Sequence, residues 1–395
     1  MRHLGVVERL HGELGRSSFD AILLYGFDHL RYVTGATFAF LPALDPGVAA
    51  ILWKKGDEPR LLVPSWLRDT FRSQAGVRNV QGYGPGPALA PTLDGLVETL
   101  AGRLGLRRAR IGTTLRRIPR ACLEALHGGL PGATLEGCDD WIRAMRMTKT
   151  AAERGLLAEV ARKTDHALAA AAHHVMVYAS RPEKGLSEII RVHCLERGLD
   201  MSGYESLAVG ASGSHAALPW PEAPWFGVGG GRQLAEGELV RMEIRSSLEG
   251  YWSDAARLLT MGPPSAAQSE AYGQVCRVRE ESLGILQSGV SCSEAAQRID
   301  AFCTKNDIPL LREHGMGHGV GVTPVEPPFV DPSDNTRLEE GMVLVLTSTV
   351  LGPGRELVRS YDTVVIGRDG AAVVGWYRDW NTPYKAVRSW QHGGG

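Results

Sequence analysis

The chain has no excess of charge of either sign. Across 395 residues, 43 Lys and Arg stand against 44 Asp and Glu, a net charge of −1. A balance that close supplies no general field to draw nucleic acid or an anionic membrane, so neither is expected as a partner. The six cysteines (Cys122, Cys138, Cys194, Cys276, Cys292 and Cys303) form no C-x-x-C pair. They read as free thiols in a reducing cytoplasm and not as a disulfide frame or zinc knuckle. No run of about 18 apolar residues escapes a charge or a breaker, which excludes a helical membrane span. The opening MRHLGVVERLHGELGRSS is amphipathic and lacks the apolar core of a signal peptide. GVGGGR, residues 227–232, is followed by no Gly-Lys-Ser/Thr and has no dinucleotide spacing, so it reads as a plain turn.

What is present is ordinary globular material, 44% hydrophobic and 22% charged, in a chain long enough for two domains. From Phe19 short apolar runs alternate with helical stretches. AILLYG reads as a buried strand, and VAAILWKK with GDEPRLLVP as a hairpin turning at Gly56-Asp57. This alternation predicts an α/β domain over residues 1–140. The Ala-rich segment from Thr148 to Met176 predicts a long helix, and Ser187–Arg197 a second one closed by Gly198. Beyond residue 200, strand-like segments separated by Gly/Pro turns predict a mostly antiparallel sheet with helices on one side. That is an α+β layer, expected over 141–385, with 386–395 as a disordered tail. Ser291 and Glu294 have the spacing of a capping box at the start of its last helix.

In VRMEIRSS, alternation puts Glu243, Arg245 and Ser247 on one strand face, and Asp254 follows on the returning arm. The two acids either face a cavity or are paired by Arg245 and Arg257 on a solvated face. His314 and His318 lie among glycines in EHGMGHGVGV, where an imidazole can shuttle a proton or bind a metal. His166, His173 and His174 fall within the long helix and read as structural. Trp220, Trp225 and Trp252 near acidic residues suit a cationic or aromatic ligand, or else pack an interface.

The order GELV-x-x-E, GYWSDAAR, GMGHGVG, LEEGMVLVL and YDTVVIGRDG resembles the C-terminal domain of the creatinase/prolidase/aminopeptidase P superfamily, the pita-bread fold. DAILLYGFDHLRYVTGATF resembles the opening of the smaller creatinase-type N-terminal domain. The resemblance implies, for metal-dependent members, two cations held by an Asp, a second Asp, a His and two Glu. Matched position by position, Glu243 stands at the first Asp, Asp254 at the second and His318 at the His. Thr347 and Tyr361 replace the two Glu, while Trp220 and Val325 replace two pocket histidines, the latter just before Glu326. With two carboxylates gone, no metal and no other cofactor is expected.

The resulting expectation is a metal-independent, creatinase-like hydrolase cleaving a C–N bond in a small polar or cationic metabolite. His318, Glu243 and Asp254 would be catalytic, and Trp220, Thr347, Tyr361, Trp252, His314 and Glu326 would bind substrate. A lyase or cyclase, a metal-dependent Xaa-Pro peptidase and a catalytically silent ligand-binding homologue are the alternatives. The resemblance also implies a cytoplasmic homodimer, with Arg31–Leu41 near the partner's Trp220 and Glu243.

Overall fold

The computed structural model describes residues 4–36, 48–85, 89–177, 182–202, 206–212, 216, 231–375 and 384–386. The chain divides into two compact units, Met1–Arg146 and Met147–Gly395. The division falls after Arg146, inside the helix Asp139–Met147 and not at Asp140.

The first unit contains α1 (Val6–Arg16), β1 (Ala21–Tyr25), α2 (Phe27–Thr34), β2 (Ala50–Lys54), β3 (Arg60–Pro64) and α3 (Arg68–Gln74). β4 (Asn79–Tyr83), α4 (Leu93–Arg103), β5 (Arg110–Thr113), α5 (Arg120–Gly129), β6 (Thr134–Gly137) and α6 (Asp139–Met147) follow. AILLY is buried at every position because β1 sits inside the sheet, in the order β4-β3-β2-β1-β5-β6. β2 and β3 form the expected hairpin, and Gly56 turns it at a φ of 83°.

The second unit opens with α7 (Ala151–Val177) and α8 (Glu183–Glu196), then β7 (Leu207–Ser212), β8 (Leu239–Leu248) and β9 (Tyr251–Met261). α9 (Ala266–Ile285), α10 (Cys292–Lys305), β10 (Gly317–Gly319), β11 (Glu326–Phe329), β12 (Val343–Leu351), β13 (Leu357–Ile366), β14 (Ala371–Val373) and β15 (Tyr384–Ala386) complete it. The nine strands form one sheet whose main path, β11-β10-β12-β13-β9-β8-β7, is antiparallel, with β15 added parallel to β9. α8 starts at Glu183, earlier than expected, because Pro182 precedes it without breaking it. Ser187 then lies inside the helix and accepts a 3.0 Å hydrogen bond from the Gly210 amide of β7. A complete capping box forms at Ser265 and Gln268; at Ser291 the hydroxyl accepts from the Glu294 amide at 3.2 Å.

Strand alternation decides which side chains meet the helices. Ser246 lies 3.1 Å from Thr164 of α7, and Arg257 lies 3.4 Å from Asp165. On the same side of the sheet, Val275, Val278, Ile299 and Cys303 of α9 and α10 share a core with Leu344, Leu346, Val364 and Ile366, since Leu346 pairs with the Asp362 that faces Arg257. The alternate residues of the same strands, Glu243, Asp254, Thr347 and Tyr361 among them, are thereby turned to the face without helices. No helix among the described residues is long and apolar enough to cross a membrane. All six cysteines are free, and burial raises the thiols of Cys138 and Cys194 to about 12.

Arg31 and Tyr32, expected near a partner's pocket, are buried in their own unit, with the Tyr32 hydroxyl donating to the Met145 carbonyl at 2.9 Å. Residues 37–41 of that segment lie outside the described residues, as does the expected tail beyond 386. Beside Arg31, Asp28 accepts from Arg146 at 2.5 Å, and His29 Nδ1 lies 3.4 Å from the same guanidinium. Burial lowers the His29 pKa to about 4 despite Asp28. Its unfolded pKa is about 6.5, so the unfolded chain takes up a proton that the folded one refuses as pH falls between those values. Stability is therefore full above pH 6.5 and declines toward pH 4, by on the order of 3 kcal/mol from this group. His29→Gln should flatten that limb of the melting temperature against pH; an unchanged slope would show that His29 is not the titrating group.

Candidate active site

One row crosses four strands of the second unit. Glu243 on β8 pairs with Ala256 on β9, Ala256 with Tyr361 on β13, and Tyr361 with Thr347 on β12. The row puts three of the predicted residues side by side on one face, with the small Ala256 between two of them. Asp254 faces Arg245 one step along the same arm, so the two acids are not directly opposed. His318 pairs with Val345, on the same side as Thr347.

Arginines fill the space between these residues. Arg359 Nη1 donates to Glu243 Oε1 at 2.8 Å and to the Tyr361 hydroxyl at 3.0 Å. Arg241 Nε lies 3.4 Å from the same Glu243 oxygen. Arg245 donates to Asp254 Oδ2 from Nε at 2.9 Å and from Nη2 at 2.5 Å. The side chains of Arg241, Glu243 and Arg359 are 0%, 2% and 1% exposed, so this is no solvated sheet face. The pairing of Asp254 by Arg245 is present, but Arg257 is turned to the helix side, where it donates to Asp362 at 2.7 Å. Burial acts to raise the Glu243 carboxyl; Arg241 and Arg359 outweigh it and hold the pKa below the usual carboxylate value.

Burial keeps His318 neutral by lowering its pKa, and its Nδ1 lies 3.0 Å from the Gly319 carbonyl. That carbonyl can only accept, so Nδ1 carries the proton and Nε2 is the basic atom. Burial pushes the Tyr361 phenol up to about 12, with Glu243 adding to the shift, so it stays protonated at neutral pH. Thr347 donates its hydroxyl to the Gly315 carbonyl at 3.0 Å. His314 is half-buried, and its pKa is lowered by burial and then by the charge of Arg359. Glu326 is not free for substrate: Lys149 donates to one oxygen at 2.9 Å and Thr323 to the other at 3.0 Å. Trp252 is buried at the hairpin end, and Trp220 lies outside the described residues. Sequence reasoning missed Arg241 and Arg359. Both were accessible from spacing alone, since each sits two residues before a named site residue on the same strand face.

Two units in succession, an α/β unit and then an antiparallel sheet with its acidic and imidazole residues on the helix-free face, define a pita-bread protein. Residues 155–368 match the model of metallopeptidase family M24, and residues 7–148 that of the Creatinase/Prolidase N-terminal domain. The chain belongs to metallopeptidase family M24. It is 22% identical over 365 residues to an Xaa-Pro dipeptidase of Pyrococcus horikoshii, covering 92% of this chain and 95% of that protein. It is 24% identical to an uncharacterized peptidase, YqhT, of Bacillus subtilis, covering 92% and 96%. The crystal structure of an X-Pro aminopeptidase from Thermotoga maritima shares the fold with a TM-score of 0.80 at 17% identity, covering 96% of this chain and 99% of that one.

These matches overturn the expected metal-independent hydrolase of a small polar or cationic metabolite. The family is a peptidase family and the relatives are named for Xaa-Pro peptides, which favours the peptidase alternative; a hydrolase acting on peptide C–N bonds is supported. The side chains themselves do not fit the family's pair of cations. Among the described residues no group of three or more His, Cys, Asp or Glu could hold a metal ion. Guanidinium groups already pair with Glu243 on the row and with Asp254 beside it, and a dication placed there would meet three positive charges.

Glu243 therefore has a heavy structural duty. Glu243→Gln leaves Arg241 and Arg359 buried together without their counter-charge. It should lower unfolding stability in urea by about 3–5 kcal/mol. A change within a few tenths of a kcal/mol would show that the pairs contribute nothing net.

Proposed function

We propose that this protein hydrolyses short peptides at an Xaa-Pro bond, at the helix-free face that carries His318 and Tyr361. The observation that carries this reading is the relatives' coverage of both domains end to end, together with Asp254 and His318 at family positions. In it, His318 Nε2 accepts a proton and later returns it to the leaving nitrogen. Tyr361 accepts from Arg359 and has its own O–H to give to the carbonyl oxygen as charge develops there. Asp254, locked by two bonds to Arg245, holds the floor of the site. The proposal includes a homodimer, which sedimentation at micromolar concentration would resolve from the 42.7 kDa chain.

The test is proline release from a panel of Xaa-Pro dipeptides, with Xaa-Ala peptides as controls. Added Mn²⁺ in a parallel series keeps a metal requirement from masking turnover. Tyr361→Phe should lower kcat about 10²-fold, the usual loss for one oxyanion donor, with little change in KM. His318→Ala should lower kcat by about 10²–10⁴-fold. No release of proline from any peptide, in either series, would sink the reading.

A further inference from the structure

β11 ends the main path of the large sheet, and it carries one large apolar side chain into the open: Phe329 is 40% exposed. Alternation fixes its direction. Val330, the next residue, is 2% exposed and belongs to the core shared with α9 and α10, so Phe329 takes the helix-free face. Its register partner is His318 on β10, which pairs in turn with Val345 on β12. Side chains directly opposed on neighbouring antiparallel strands have Cβ atoms about 4.5–5.5 Å apart, so one ligand can touch both. Val345 is two residues from Thr347, and this row therefore runs beside the row that carries Tyr361.

An exposed aromatic on an edge strand can also mark a place where a further strand adds, but this backbone is closed to that. Pro327 and Pro328 have no amide hydrogen to give, and the Phe329 amide donates to Asp334 Oδ2 at 2.8 Å. Edge prolines and occupied donors stop a sheet from growing. What β11 leaves open is the Phe329 ring. Covering that ring with an apolar group is favourable in proportion to the area removed from water.

The strand order β11-β10-β12-β13 puts His318 between Phe329 and Tyr361. In the proposed reaction Tyr361 serves the carbonyl oxygen and His318 returns a proton to the leaving nitrogen. A peptide laid across the strands in that sense carries its leaving residue past His318 and over β11. We infer that Phe329 is a specificity-determining residue, whose ring forms an apolar subsite for the side chain of the leaving residue. The subsite takes a proline ring or an aliphatic side chain. It disfavours an acidic one, which would give up water to meet the negative face of the ring. The inference rests on the peptidase reading for the direction in which the substrate lies.

Two measurements on the full-length protein test it. The first is kcat/KM for dipeptides that share one first residue and end in proline, leucine or aspartate, assayed with and without Mn²⁺. The second is calorimetric binding of free L-proline, L-leucine and L-aspartate, the leaving residues themselves, which needs no turnover. Proline and leucine should be favoured over aspartate in both. F329A should lower the values for that apolar pair about tenfold and leave those for aspartate within about twofold, while F329L, which keeps an apolar group, should recover most of the loss. Equal losses for all three would mean that Phe329 merely supports the fold, and unaltered values for the apolar pair that nothing docks on its ring; either overturns the inference. Ring-dependent binding without turnover of any peptide sinks the peptidase reading alone. Turnover with a preference that F329A does not alter sinks this inference alone, and silence in both assays sinks both.

Discussion

One carboxylate between two guanidinium groups holds the helix-free face together. Glu243 is nearly fully buried, accepts from Arg359 and lies against Arg241. It comes from β8, while Arg359 comes from β13, with β9 between them. The bond therefore spans the middle of the sheet and ties two strands that do not touch as neighbours. It is possible only because the residue between them is Ala256, which leaves room above its short side chain. A bulky residue there would push Glu243 and Tyr361 apart and leave the arginines without a partner. Mutual attraction of the charges offsets their desolvation only while this geometry is kept.

The comparison with the family shows how fold and chemistry part company. The sheet, the order of its strands and the Gly-His-Gly segment follow the pita-bread pattern, as the TM-score of 0.80 reflects. These depend on backbone pairing and on the apolar face beneath α9 and α10, which tolerate wide change in sequence. The opposite face has no such packing demand, so its side chains are free to change sign as a group. Replacing two acids by Thr347 and Tyr361 would by itself leave an incomplete cation site. Arg241 and Arg245 stand two residues to either side of Glu243 on the same strand face.

Much of this was legible in the sequence. Strand alternation in VRMEIRSS placed Glu243 and Arg245 together, and the GMGHGVG segment placed His318 on an open backbone. The buried strand AILLY and the Gly56 hairpin of the first unit were read directly; β4 and β6, which complete its six-stranded sheet, were not. What could not be read was register. Whether Glu243 meets Arg359 depends on the pairing of β9 with β13, more than a hundred residues further on, which no local pattern encodes. Burial was equally hidden: charged residues on a strand face look alike whether water or other charges cover them. For that reason Glu326, which reads as a pocket residue beside Val325, is instead held on both oxygens by Lys149 and Thr323.

The choice of arginine fixes the character of the site across pH. Guanidinium groups do not lose their protons in any accessible range, so three positive charges persist whatever the solution does. The groups that answer them do titrate, but the same arginines hold Glu243 below the usual carboxylate pKa and so keep it charged well into acid. Burial lowers the pKa of both imidazoles; at His314 the charge of Arg359 adds to it, whereas at His318 the Gly319 carbonyl and Asp254 act the other way. The arginines thus hold Glu243 ionised, while burial keeps the two imidazoles neutral. Arg241, Arg245 and Arg359 supply the positive field from the chain's own strands.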